Sequence, residues 1–247
     1  GDASMARYGR KLTWGQTGTS DNLAGDGLVL PCQKERFADP GGLDALVRAW
    51  KGEQHTTQRV RMGNGPKARV TKQRVTIVAA ETMQLVELSG SEDEAAASYE
   101  RAAMWYADCL EPRVQLLSTH QVDGVGDAAI LFRLRSWAGS PQVIDAAIAR
   151  SGQRVVTTVI RARKAPTKVA GVASGLADAV NAMCGTPGAG TCATRPKATR
   201  VAPLSIGKPA GLLAPVDLPP VSQAVGPWVG TEAARAQAGR RQRAAAC

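Results

Sequence analysis

Two histidines, His55 and His120, are the only imidazoles in the 247-residue chain, and they lie far apart in sequence. His120 falls in an alternating stretch that reads as a strand and His55 in a polar one. Neither accompanies a nucleophile elbow of the G-x-S-x-G kind, which would present a serine to an imidazole base. A cryptic hydrolase therefore ranks last among the functions these residues allow. Asp123 and Asp127 flank Gly124 and Gly126 and could hold a cation, but turn chemistry accounts for that pattern more simply. Glu92-Asp93-Glu94 sits where a helix start favours negative charge. The five cysteines include no C-x2-C pair, and both histidines are remote from most of them, so zinc is not expected. No metal and no cofactor is called for.

Residues suited to binding are better represented. Arg74, Arg133, Arg135, Arg161 and Arg163 fall on stretches that read as strands and alternate with apolar neighbours, so the open face of a one-sided sheet would gather some of them. Guanidiniums lining a cleft attract a carboxylate, a phosphate or an anionic envelope glycan. A solvated polar sheet face is the plainer account of the same pattern. Trp137, followed by Ala138-Gly139-Ser140-Pro141, reads as a loop residue able to touch a ligand or partner, whereas Trp105 falls on the packed side of a helix. Lys and Arg number 31 against 21 Asp and Glu, a net charge of +10. The excess is concentrated between Arg59 and Arg74 and near the C-terminal end (Arg235, Arg240, Arg241, Arg243), with no aromatics interleaved. Single-stranded nucleic acid needs such stacking platforms, so nucleic acid is not the expected partner and a solvated basic face suffices.

The elements that must position these groups follow from periodicity. Residues 1–27 are Gly-rich and weakly patterned and read as an N-terminal arm. Leu43, Leu46, Val47 and Trp50 have the spacing of one helical face, which predicts a short helix over 43–50. Alternation predicts strands over 72–80 and 82–88. Ser91 and Glu94 form a capping box that opens a helix running to about Leu110, with Tyr99, Ala102 and Trp105 on its apolar side. Strands are predicted over 114–121 and 128–135, joined by the turn Asp123 to Asp127, and over 153–163. A second long helix begins near Thr167 with Val169, Val172, Leu176, Val180 and Met183 nearly on one face. This order predicts an α+β fold: a mainly antiparallel sheet with two long helices packed on one face and a ligand-sized cleft, spanning 28–192. Residues 193–220 are rich in Pro and Gly and read as a linker, and 221–247 hold too little apolar surface to fold alone. No stretch approaches the roughly 18 apolar residues of a membrane span, and the first residues lack a charged region followed by an apolar run. Any signal or anchor is expected outside this chain.

Cys184 and Cys192 flank the Gly-Pro-rich stretch 185–190 and suit a small local disulfide loop; scattered buried thiols in a reducing compartment are the alternative. Taken together, Pro31-Cys32, Trp105-Tyr106-Ala107-Asp108-Cys109, Asp123-Gly124-Val125-Gly126-Asp127 and Gly152-Gln153-Arg154-Val155-Val156-Thr157 resemble the PknH-like extracellular sensor domains of actinobacterial receptor Ser/Thr kinases and related lipoproteins and secreted proteins. The resemblance covers about 28–184, with one extra residue between the tryptophan and cysteine of its most specific motif. It implies a Cys32/Cys109 disulfide, a mainly antiparallel sheet with helices on one side, and a cleft for a ligand. Leu218-Pro219-Pro220 and Trp228, followed by an Ala-rich run to Cys247, look like the opening of a second copy in which Cys247 stands where Cys32 stands in the first.

The expected function is an extracytoplasmic, non-catalytic sensor that recognises a small or envelope-derived ligand and passes occupancy to a membrane-tethered partner. Arg74, Arg133, Arg135, Trp137, Arg161 and Arg163 are the expected ligand contacts. A structural or cell-wall interaction module with a basic docking face is the alternative.

Overall fold

Val155-Val156-Thr157-Thr158-Val159-Ile160 is a run without polar alternation, the signature of a strand buried on both faces. In the computed structural model it is the middle of β7 (Arg154–Ala162), near the centre of an eight-stranded antiparallel sheet. The others are β1 (Thr13–Ser20), β2 (Asp44–Met62), β3 (Arg69–Leu88), β4 (Val114–Asp123), β5 (Ala128–Ser136), β6 (Gln142–Ser151) and β8 (Lys197–Val201), in the order β1-β2-β3-β7-β6-β5-β4-β8. Among the described residues two α-helices complete the fold, α1 (Glu92–Ala107) and α2 (Val169–Asn181). The structure describes residues 5–21, 30–63, 69–109, 111, 114–137, 140–163 and 168–206. Thr167 and the suggested second copy at 221–247, Cys247 included, lie outside the described residues.

The helices cover opposite faces of the sheet, which corrects the expectation of two helices on one face. Ala95, Ala102 and Tyr106 of α1 share a core with Ile144, Ala146 and Ile148 of β6 and with Val155 and Val159 of β7. Val172, Leu176 and Val180 of α2 share the other core with Ala147 and Ala149 of β6 and with Val156 and Ile160 of β7. A strand's successive side chains point to opposite faces, so two strands buried on both faces demand two covering layers. β6 escaped the sequence reading for the same reason. It is sandwiched between both helices, needs the small side chains Ala146, Ala147 and Ala149 there, and so lacks the β-branched enrichment of a recognisable strand.

The expected helix over 43–50 is instead the start of β2. Its supposed apolar stripe divides across the sheet, Val47 into the α1 core and Trp50 into the α2 core, while Leu43 stays exposed. The two strands expected over 72–80 and 82–88 are one strand, β3, whose register against β2 shifts at Gly52/Glu53. β1, within the stretch read as an arm, is one edge of the sheet, paired to β2; β8, within the stretch read as a linker, is the other, paired to β4. Edge strands need little apolar sequence, because they bury less.

Local chemistry fixes the joints. Ser91 Oγ accepts the Glu94 N–H at 3.2 Å, and Glu92, Asp93 and Glu94 occupy the positive end of α1. Gly124 and Gly126 take left-handed conformations (φ 72° and 62°), and a Cβ on Gly126 would collide with the Arg150 carbonyl. Asp127 accepts the Gly152 N–H at 2.6 Å and the Thr191 N–H at 3.1 Å. Burial alone would raise its pKa, but these bonds, one with the Thr191 hydroxyl and the Arg150 cation hold it below the usual carboxylate range. Asp127 is therefore a tie between three turns. Two disulfides staple the sheet to its surroundings. Cys32–Cys109 closes a separation of 77 residues and joins the segment before β2 to the end of α1; Cys184–Cys192 closes 8 residues after α2.

Candidate functional site

The six expected ligand contacts do not converge. Arg133 and Arg135, alternating with Ile130, Phe132 and Leu134 of the α1 core, point to the α2 face, whereas Arg161 alternates with Ile160 and points to the α1 face. Arg133 is bound in a two-pronged ion pair with Asp145, its Nε at 2.6 Å from Oδ1 and its second nitrogen at 2.8 Å from Oδ2, and Asp145 is 1% exposed. Arg161 pairs with Glu81 at 2.7 Å. Arg135 lies 4.6 Å over the ring of Trp137, which is buried, so Trp137 is a packed residue capped by a cation. Arg74 stands on a projecting part of β3. Only Arg163 borders a sizeable recess.

That recess is a groove of about 1350 Å³ between residues 6–12, the middle of β2 and β3, and the N-terminal half of α2. Its floor is apolar, built from Leu12, Ile77, Val78 and Ala79; Ile77 is 38% and Val78 46% exposed. Its rim carries Arg7, Arg10, Lys11, Arg163 and Lys168, and no carboxylate lines it among the described residues. Arg7 is engaged by Asp178 at 3.1 Å. Arg10, Lys11, Arg163 and Lys168 make no ion pair with any described residue. Lys168 is the N-cap of α2 without a capping side-chain bond, and the first turn of α2 holds no acid, so the helix adds its own positive potential to the rim.

Between Arg7 and Gly9, which line the groove, a tyrosine is buried. Tyr8, in a single 3-10 turn over Ala6–Tyr8, packs against Gly175 of α2 so closely that a Cβ there would overlap its ring. Burial pushes its hydroxyl well above the ordinary range. A smaller cavity of about 390 Å³ is lined by Tyr8 and Gly175, but Asp44 and Asp178 share its lining with Arg48 and Arg154, so it selects no sign of charge.

Ser118 Oγ lies 3.0 Å from His120 Nε2, and burial followed by the charges of Arg133 and Arg200 lowers the His120 pKa, favouring the neutral imidazole. The carboxylate that would orient it, Asp145, has both oxygens committed to Arg133, and neither Ser118 nor His120 lines the groove or the cavity. Cys32, Cys109 and Glu111 lie close enough to hold a metal, but both sulfurs are spent in the disulfide.

Arg10, Lys11 and Lys168 were invisible to a reading by periodicity. The adjacent pair Arg10-Lys11 in the N-terminal stretch was the one available signal, and nothing local joins it to Arg163. No helix among the described residues is long and apolar enough to cross a membrane. Compared with protein-family models, curated proteins and solved structures, the chain matches none.

Proposed function

We propose that the chain is an extracytoplasmic, non-catalytic ligand-binding domain, a sensor of the PknH-like kind, whose groove takes a small or envelope-derived ligand with an anionic head on an apolar body. One observation carries this reading: Arg10, Lys11, Arg163 and Lys168, without carboxylate partners among the described residues, ring an apolar floor. Four cations drawn from two segments and a helix start repel one another, and a bound anion relieves that repulsion while Leu12, Ile77 and Ala79 remove its apolar part from water. The two disulfides fit an oxidising, extracellular setting.

The test is thermal and calorimetric titration with octyl phosphate, octanoate, octanol and inorganic phosphate. The two anionic amphiphiles should bind saturably, adding about 2.7 kcal/mol of stability at 100 times their Kd. Arg163→Gln combined with Lys168→Gln should weaken them at least tenfold. Equal stabilisation by octanol, or an unchanged affinity in the double variant, refutes the assignment.

A further inference from the structure

β2 and β3 outrun their sheet. β1 pairs with β2 only as far as Glu53, and β7 pairs with β3 only as far as Ala80. Beyond those points nine residue pairs, Gln54↔Ile77 to Met62↔Arg69, continue as a two-stranded ribbon with no third strand on either side among the described residues. At about 3.4 Å per residue it projects roughly 30 Å. Directly opposed residues of an antiparallel pair share a face, and the register sorts this ribbon into two unlike faces. One carries Thr56, Val60 and Met62 opposite Val75, Thr71 and Arg69. The other begins with Glu53↔Val78 and His55↔Thr76 at its base and continues outward as Thr57↔Arg74, Arg59↔Lys72 and Arg61↔Val70, a cationic strip on the α1 side of the molecule.

Arg59 and Lys72 are opposed across the ladder with their Cβ atoms about 5 Å apart, an arrangement that destabilises a hairpin when nothing neutralises it. Neither these two nor Arg74 makes an ion pair with a described residue, and all three are exposed. Along each strand the cations recur every second residue, about 7 Å, in two rows.

We propose that this ribbon is a docking arm for a linear acidic polysaccharide, an extended single chain whose carboxylates project alternately to either side and so meet both rows. A DNA duplex presents a charge every 1.7 Å or so and would be matched only sparsely, the strip carries no Trp, Tyr or Phe for base stacking and the His55 ring at its base is bonded to Thr76, and the two disulfides fit a compartment outside the cytosol. The arm is distinct from the groove: the groove touches only the base of the ribbon, at Gln54, Ile77 and Val78, and none of Arg59, Lys72 and Arg74 lines it.

The experiment measures binding of the whole chain to polygalacturonate and to duplex DNA over a salt series. Neutralising three contacts predicts a fall in polygalacturonate affinity of about 20-fold between about 50 and 200 mM salt. The triple variant Arg59→Gln, Lys72→Gln, Arg74→Gln should lose at least tenfold in affinity with an unchanged or raised Tm, because the opposed like charges are gone. The charge-matched control Arg195→Gln, Lys197→Gln, Arg200→Gln, at the opposite edge of the sheet, should bind as the parent does. Equal losses in both variants would reduce the effect to net charge and overturn the proposal, as would tighter binding of duplex DNA than of polygalacturonate at the same salt.

Discussion

Glu87 stands on β3, 2% exposed, where its carboxylate accepts the Asp39 N–H at 3.2 Å and its second oxygen has no hydrogen-bond partner among the described residues. Burial raises its pKa from 4.5 to about 7, against the opposing pull of backbone N–H groups and Arg101. A carboxyl that holds its proton more tightly when folded makes the native state bind more protons than the unfolded chain wherever pH lies between the two values, so stability falls as pH rises across that window. The loss begins near pH 4.5, is complete just above pH 7 and is constant beyond. At about 1.4 kcal/mol for each tenfold difference in proton affinity, the total is about 3 kcal/mol. Glu87→Gln keeps an acceptor for Asp39 and never ionises, so it should match the parent near pH 4.5 and exceed it by about 3 kcal/mol near pH 8. Urea denaturation of both proteins across that range reads the difference directly, and because His120 and every other group titrates alike in both, its contribution cancels. A difference that stays flat with pH, or that favours the parent as pH rises, refutes the buried carboxyl.

Two further outcomes follow from packing and covalent linkage. Replacing Cys32 and Cys109 by Ser together should cost about 4.5 kcal/mol for the 77-residue separation, against about 2.5 kcal/mol for Cys184 and Cys192 with 8, measured by chemical denaturation; equal costs would show that chain entropy does not govern either bridge. Arg133→Ala leaves Asp145 buried and unpaired and should cost about 3 kcal/mol or more, whereas Arg133→Met with Asp145→Leu should cost far less. If Arg133→Ala is as stable as the parent but loses octyl phosphate binding, Arg133 is a ligand contact after all.

Some of this architecture is written locally. The capping box Ser91/Glu94 announces α1, the paired glycines 124 and 126 announce the β4–β5 turn, and Val172, Leu176 and Val180 trace the buried stripe of α2. Each depends on residues within a turn or two of one another, so the linear order already contains the interaction. The stretch 43–50 fails that test because helical spacing and a strand buried on both sides place apolar residues at the same positions, and only the partner strands decide between them.

By itself, then, the sequence determined an antiparallel, mostly β framework, its two helices and a strong positive charge. Tertiary structure alone decided that the helices lie on opposite faces, that Arg133 and Arg161 are consumed by Asp145 and Glu81, and that Arg10, Lys11, Arg163 and Lys168 meet around one groove. The physical reason is range. Hydrogen-bonded turns and side-chain periodicity act over a few residues, whereas the charge in a cleft is set by which distant segments the packed core brings together and by which of their charges that packing has already neutralised.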